Sequence, residues 1–138
     1  FDYVRAQDVL EHVDDFIGVM EEIHRVCCDG ATVDVRMPFM SRLNLATDPT
    51  HRRSGASGTF DYFNPDTPLG KFAYTDARFD RVSFHYGRFY HGLPGFLMWL
   101  PDKLFVPLCE FFHVEYEHYF AYIYPMHEIS YRLRVKKS

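Results

Sequence analysis

The chain has 138 residues, 47% hydrophobic, 18% aromatic and 25% charged, with 19 acidic against 15 basic residues and a net charge of −4. That length and charged fraction describe one folded domain and exclude disorder, collagen and coiled coil. The acidic excess argues against a nucleic-acid binder, which carries a basic surplus on one face, so no nucleic-acid partner is expected.

Residues 2–6, Asp-Tyr-Val-Arg-Ala, read as a short first strand, with Tyr3 and Val4 supplying the β propensity. A helix follows. Asp14 and Asp15 suit its N-terminus by capping and by the dipole, and Val13, Phe16, Ile17, Met20, His24 and Cys27 recur on one face. Glu21, Glu22 and Arg25 take the other face, and Gly30 supplies the stop. Residues 31–37, Ala-Thr-Val-Asp-Val-Arg-Met, then read as a second strand ended by Pro38. Strand, helix and strand in so short a stretch predict a parallel βαβ unit.

From Phe39 to Thr75 the pattern dissolves into Ser, Asn, Gly, Pro and Thr, which predicts a long loop or a small insertion. Loops of that length inside a domain are uncommon and are often lids or binding segments. Arg78 to Arg88 reads as a third strand with Phe79, Val82, Phe84 and Tyr86 as its apolar positions. Leu93 to Tyr124 reads as a helical region broken by its prolines, and residues 129–135 alternate as a last strand with one wet face. The organisation is thus a βαβ core over 1–38, an insertion or lid over 39–75, and a strand, helical region and final strand over 76–138.

Three cysteines, two of them the neighbours Cys27 and Cys28, make no disulfide framework, which points to a reducing, cytoplasmic setting. The opening Phe-Asp-Tyr-Val has neither a basic nor an apolar leader pattern and reads as a cut inside a domain. The most apolar stretch, Leu93 to Phe112, contains Asp102, Lys103, Glu110 and three prolines, so a membrane span is not expected; an interfacial surface is the lesser alternative. No histidine pair has zincin spacing, and no metal is expected.

Phe1-Asp2-Tyr3-Val4, Ala6-Gln7-Asp8-Val9-Leu10-Glu11-His12, Glu22-Ile23-His24-Arg25-Val26 and Asp29-Gly30, in this order and spacing, carry a family signal. They resemble the second half of a class I S-adenosylmethionine-dependent methyltransferase domain of the small-molecule type (methyltransferase type 11). The resemblance is strong over residues 1–38 and weaker beyond. Asp48 to Arg53 followed by Thr59-Phe60-Asp61-Tyr62-Phe63 looks like a segment found in a subset of these enzymes. It implies an α/β, Rossmann-like methyltransferase fold, present in part: strands four to seven of a seven-stranded mixed sheet with flanking helices, the last strand antiparallel. The family's glycine-rich loop and ribose-binding acidic residue would precede Phe1, and no Gly-x-Gly-x-x-Gly occurs in the chain. The chain alone is therefore expected to bind S-adenosylmethionine very weakly, and the strand edge left open is expected to favour self-association.

Ligands of open α/β sheets sit beyond the carboxyl ends of the strands, which puts Ala6, Gln7 and Asp8 where the cofactor's methyl end would lie. For Asp8 and Glu11 a capping or packing role is the competing assignment, and for His12 a structural hydrogen bond. His12 and His51 are the candidate bases, and Arg52, Arg53 and Tyr62 the candidate acceptor contacts, since arginine forks match carboxylate and phosphate geometry. A solvated turn at Asp48-Pro49 is the plain alternative for the insert. The expected reaction is methyl transfer to a small-molecule acceptor. The alternative from another class is a non-catalytic remnant that binds a protein or regulates one through its aromatic surface. No Gly-x-Ser-x-Gly elbow supports a hydrolase.

Overall fold

Strand β1 (Tyr3–Gln7) is followed by helix α1 (Phe16–Val26) and strand β2 (Thr32–Pro38), and β1 pairs with β2 in parallel from Tyr3 against Thr32 to Gln7 against Arg36. The structure is a computed structural model describing residues 1–42, 47–88 and 92–137, with backbone alone for 92–100. The crossover helix starts where the charge pattern places it. Asp15 is the N-cap, its Oδ1 accepting from the Gly18 N–H at 2.8 Å. Met20 and Cys27 are buried, and Phe16, Val19 and Ile23 pack beside them. Gly30, at φ +76°, makes the turn into β2 in a conformation that costs a residue with a Cβ.

Strands β3 (Arg78–Gly87) and β4 (Glu128–Lys136) complete a four-stranded open sheet of order β1-β2-β4-β3, with β4 antiparallel to both of its neighbours. The fold is mixed α/β. On β4, Ile129, Tyr131, Leu133 and Val135 are buried while Arg132, Arg134 and Lys136 are exposed, the two-residue alternation of a strand with one wet face. On β3 the alternation breaks at a bulge between Arg81 and Ser83. Phe79 and Tyr86 have opposite parity yet both enter the core, because the extra residue flips the strand's faces; Val82, read as apolar core, is instead 53% exposed.

The segment after β2 contributes to the core. Phe39, Phe60 and Phe63 are buried in the same cluster as the inner face of the sheet, and Phe60 stands edge-on to Tyr131 with centroids 4.7 Å apart. Two 3₁₀ turns, Asp61–Phe63 and Gly70–Phe72, shape it. Gly55 lets it cross close over β4: a Cβ there would lie 2.5 Å from the Tyr131 hydroxyl, which donates to the Ala56 carbonyl at 2.7 Å.

Helix α2 (Gly92–Phe111) also departs from the expectation of a proline-broken region, since it runs through Pro101 and Pro107. Each proline removes one backbone donor, a local loss that tertiary packing can carry. Val106 and Cys109 pack on the core, and Arg88 pairs with the buried Asp102 at 2.8 Å. A single turn α3 (His113–Glu115) and a π-type turn (Tyr116–Phe120) lead back towards β4. Among the described residues no helix is long and apolar enough to cross a membrane.

The insert and the packed helical residues all join the one core. Among the described residues the opposite face of the sheet is polar: Arg5, Gln7, Asp34, Arg36, Ser130 and Arg132 line an open trough of about 380 Å³. A doubly wound sheet is covered on both faces, so what is present here is a two-layer arrangement with β1 at its edge.

Candidate functional site

The loops that leave the carboxyl ends of the parallel pair meet. The chain after β1 makes a tight turn through Leu10, Glu11 and His12, with the His12 N–H donating to the Val9 carbonyl at 3.1 Å. The insert after β2 returns to it: the Arg52 N–H donates to the Glu11 carbonyl at 2.8 Å. The imidazoles of His12 and His51 are thereby brought edge to face, centroids 4.7 Å apart.

A local turn orients both rings. Asp48 accepts from the Thr50 N–H at 2.9 Å and from the Thr50 hydroxyl at 2.6 Å, the Asx-type turn that Asp-Pro-Thr favours. Those bonds hold the Asp48 carboxyl below the usual carboxylate range, the Thr50 hydroxyl contributing most, and keep it ionised. A carboxylate only accepts, so the Thr50 proton points to Asp48, and the Thr50 oxygen, 3.0 Å from His12 Nδ1, accepts from that nitrogen. In the neutral form of His12 the Thr50 contact places the lone pair on Nε2, the nitrogen that lies 4.0 Å from Glu11 Oε1. The second oxygen of Asp48 lies 3.6 Å from His51 Nε2.

The centre of this group is short of donors. Glu11 is 1% exposed, and its Oε2 is buried without a hydrogen-bond partner. The His51 side chain is 5% exposed, and its Nδ1 is likewise buried and unpartnered. The His12 side chain, 39% exposed, opens the cluster to solvent.

The two arginines behind His51 differ. Arg52 is exposed and pairs with Asp14 at 2.7 Å, leaving donors free towards solvent. Arg53 turns inward and donates to the carbonyls of Leu10 (3.0 Å), Val13 and Asp14 (3.1 Å), with its guanidinium 5.3 Å from the Phe16 ring. It staples the insert to the β1–α1 connection, with its guanidinium engaged by those carbonyls. Arg53→Ala is accordingly expected to cost about 2–3 kcal/mol in a urea melt, since bonds from a charged donor are lost at partly buried carbonyls. Unchanged stability would overturn that structural assignment.

Tyr62 stands in a different group, stacked on Tyr74 (centroids 5.5 Å) and tilted against Phe72. Of the three positions expected near the cofactor, Ala6 is packed in the core and offers that region only its backbone. Gln7 lines the open polar trough. Asp8 adopts a left-handed φ of 52° at the end of β1, with its carboxylate paired to Arg36. Arg36 also faces Glu128 at 3.6 Å, where burial pushes the Glu128 carboxyl up.

Arg36, Glu128 and Asp48 were not among the sequence candidates. Asp48-Pro49-Thr50 did hold a turn signal from which the relay to a histidine could be sought. Nothing local marks Arg36 or Glu128, which meet Asp8 only through strand pairing. The chain matches no known family model, and no curated protein matches it.

Proposed function

We propose that this chain is the C-terminal part of an S-adenosylmethionine-dependent methyltransferase domain of Rossmann-like type, acting on a small-molecule acceptor. One observation carries the reading: the loops from the carboxyl ends of two adjacent parallel strands converge and juxtapose His12 with His51. That is the end of an open α/β sheet where ligands bind. An antiparallel last strand beside a parallel pair supports the same fold assignment.

The residues at the end of β1 fit one wall of a cofactor site. Gln7 and the half-exposed Asp8 carboxylate present hydrogen-bonding groups there, and the left-handed turn at Asp8 ends the strand. When bound, the cofactor supplies an electrophilic methyl on a sulfonium sulfur. The chain's own contribution is to align the acceptor and to take its proton, if it is a hydroxyl or an amine, on His12 Nε2. Asp48 and Thr50 are positioning residues that keep that nitrogen free of its own proton. Arg52 offers the exposed guanidinium for an anionic acceptor.

A second reading, a protein-binding or regulatory module, draws on Phe111, Tyr119, Tyr122 and Ile123, each more than 70% exposed. Calorimetry on the full-length protein separates the two. The enzyme reading expects binding of S-adenosylhomocysteine, weakened about tenfold or more by Asp8→Ala, with one lost charge-assisted contact as the reason. Absence of binding by the full-length protein would overturn it and favour the module.

A further inference from the structure

Glu11, His12 and His51 place one oxygen and two nitrogens within 4.8 Å of one another. Buried Glu11 Oε2 and His51 Nδ1 have no partner, and His12 Nε2 carries a lone pair by the Thr50 relay. Unpartnered polar atoms collected in a partly buried cluster leave a desolvation cost that a cation relieves. We infer that this cluster is a binding site for a divalent transition-metal ion of the zinc class, with Glu11, His12 and His51 as its three ligands.

The chemistry of the donor set selects that class. Two imidazoles and one carboxylate are the ligands of open, three-residue sites for borderline metals, whereas magnesium and calcium prefer oxygen alone. Around such an ion the ligand atoms stand about 3.3 Å apart, from metal–ligand bonds near 2.05 Å in tetrahedral geometry. The three ligand atoms, within 4.8 Å of one another, therefore have to close by at most about 1.5 Å, part of which the exposed His12 ring supplies by rotation.

The surroundings are those of a metal centre. Histidine ligands generally donate their second ring nitrogen to a carboxylate or another oxygen, which fixes the ring and raises its basicity. Asp48 serves both rings here, one oxygen reaching His12 through Thr50 and the other facing His51. The fourth position opens beside His12, towards solvent. A cation and an acceptor's proton compete for His12 Nε2, so the metal-loaded and metal-free forms are distinct states of one site. Metal binding itself does not depend on the methyl-transfer reading.

The test is titration of the chelator-treated chain with Co²⁺ followed by visible absorption, with Zn²⁺ as competitor and Mg²⁺ as the oxygen-preferring control. Expected are one Co²⁺ per chain with the absorption bands of a four- or five-coordinate site, displacement by Zn²⁺ and none by Mg²⁺. His12→Ala and Glu11→Gln should each lower affinity about tenfold or more, as loss of one of three ligands requires, while the exposed His118→Ala leaves it unchanged. Circular dichroism identifies the folded variants, and because His12 lies at the surface its variant decides should Glu11→Gln unfold. No saturable binding at millimolar Co²⁺ would overturn the site, as would a folded His12→Ala chain that binds as the parent does.

Discussion

Replacing Phe60 by alanine is expected to destabilise the protein by about 3–5 kcal/mol, the range for deleting a buried aromatic ring. Phe60 is fully buried and touches three other rings: Tyr131 of β4 at 4.7 Å, Phe16 of α1 at 5.8 Å and Phe63 at 6.1 Å. It is therefore where the insert, the crossover helix and the last strand are joined. The loss has two parts, the transfer of the ring out of water and the cavity that neighbours on rigid elements cannot close. Phe60→Leu, which keeps much of the volume, should cost less. Urea denaturation reads both. A loss under about 1 kcal/mol for the alanine variant would mean that the insert is a peripheral cover after all.

On the proposed methyl transfer, His12→Ala should lower kcat of the full-length protein by about 10²-fold or more, because general acid–base groups usually contribute 10² to 10⁴. His51→Ala should lose a similar factor if the pair acts as a unit, and the double variant should then lose little more than either single one. Thr50→Val tests the positioning residue. With the hydroxyl gone, His12 Nδ1 loses its acceptor and the ring its fixed tautomer, and a loss of about 10-fold to 100-fold is expected by analogy with other outer-sphere partners of histidine. Arg52→Ala should behave differently. A guanidinium that binds an anionic acceptor equally in ground and transition states raises KM when lost and leaves kcat near its starting value. The Thr50, His51 and Arg52 single variants should spare cofactor affinity, since those residues lie on the insert after β2 while Gln7 and Asp8 lie at the end of β1. Steady-state kinetics with a parallel cofactor titration reads each effect, and parental kcat and KM in every variant would remove the histidine pair from the reaction.

The amino-acid sequence determined the elements whose signals are local. Asp15 caps the helix that the spacing of Phe16, Met20 and Cys27 announces, and the alternation from Ile129 to Val135 sets which face of β4 is wet. The parallel pairing of β1 with β2 followed from having a helix between two strands.

Tertiary structure decided what depends on contacts between distant segments. A bulge at Arg81 and Ser83 reverses the faces of β3, which composition does not announce. Helix α2 continues through two prolines because the helix rests on the core, where propensity alone would have stopped it. Polar, glycine-rich surroundings hid Phe39, Phe60 and Phe63, whose burial depends on the sheet beneath them. Residue type marks Arg53 as a candidate anion contact, whereas its bonds to the Leu10 and Asp14 carbonyls follow from the packing of two distant loops. His12 and His51 were each legible as candidates, but their meeting over Glu11 depends on the contacts that hold the insert on the turn after β1, the Arg52 backbone bond and the Arg53 guanidinium among them. Residue type names the chemistry a side chain can do; which groups share a site is set by the packing that brings two loops together.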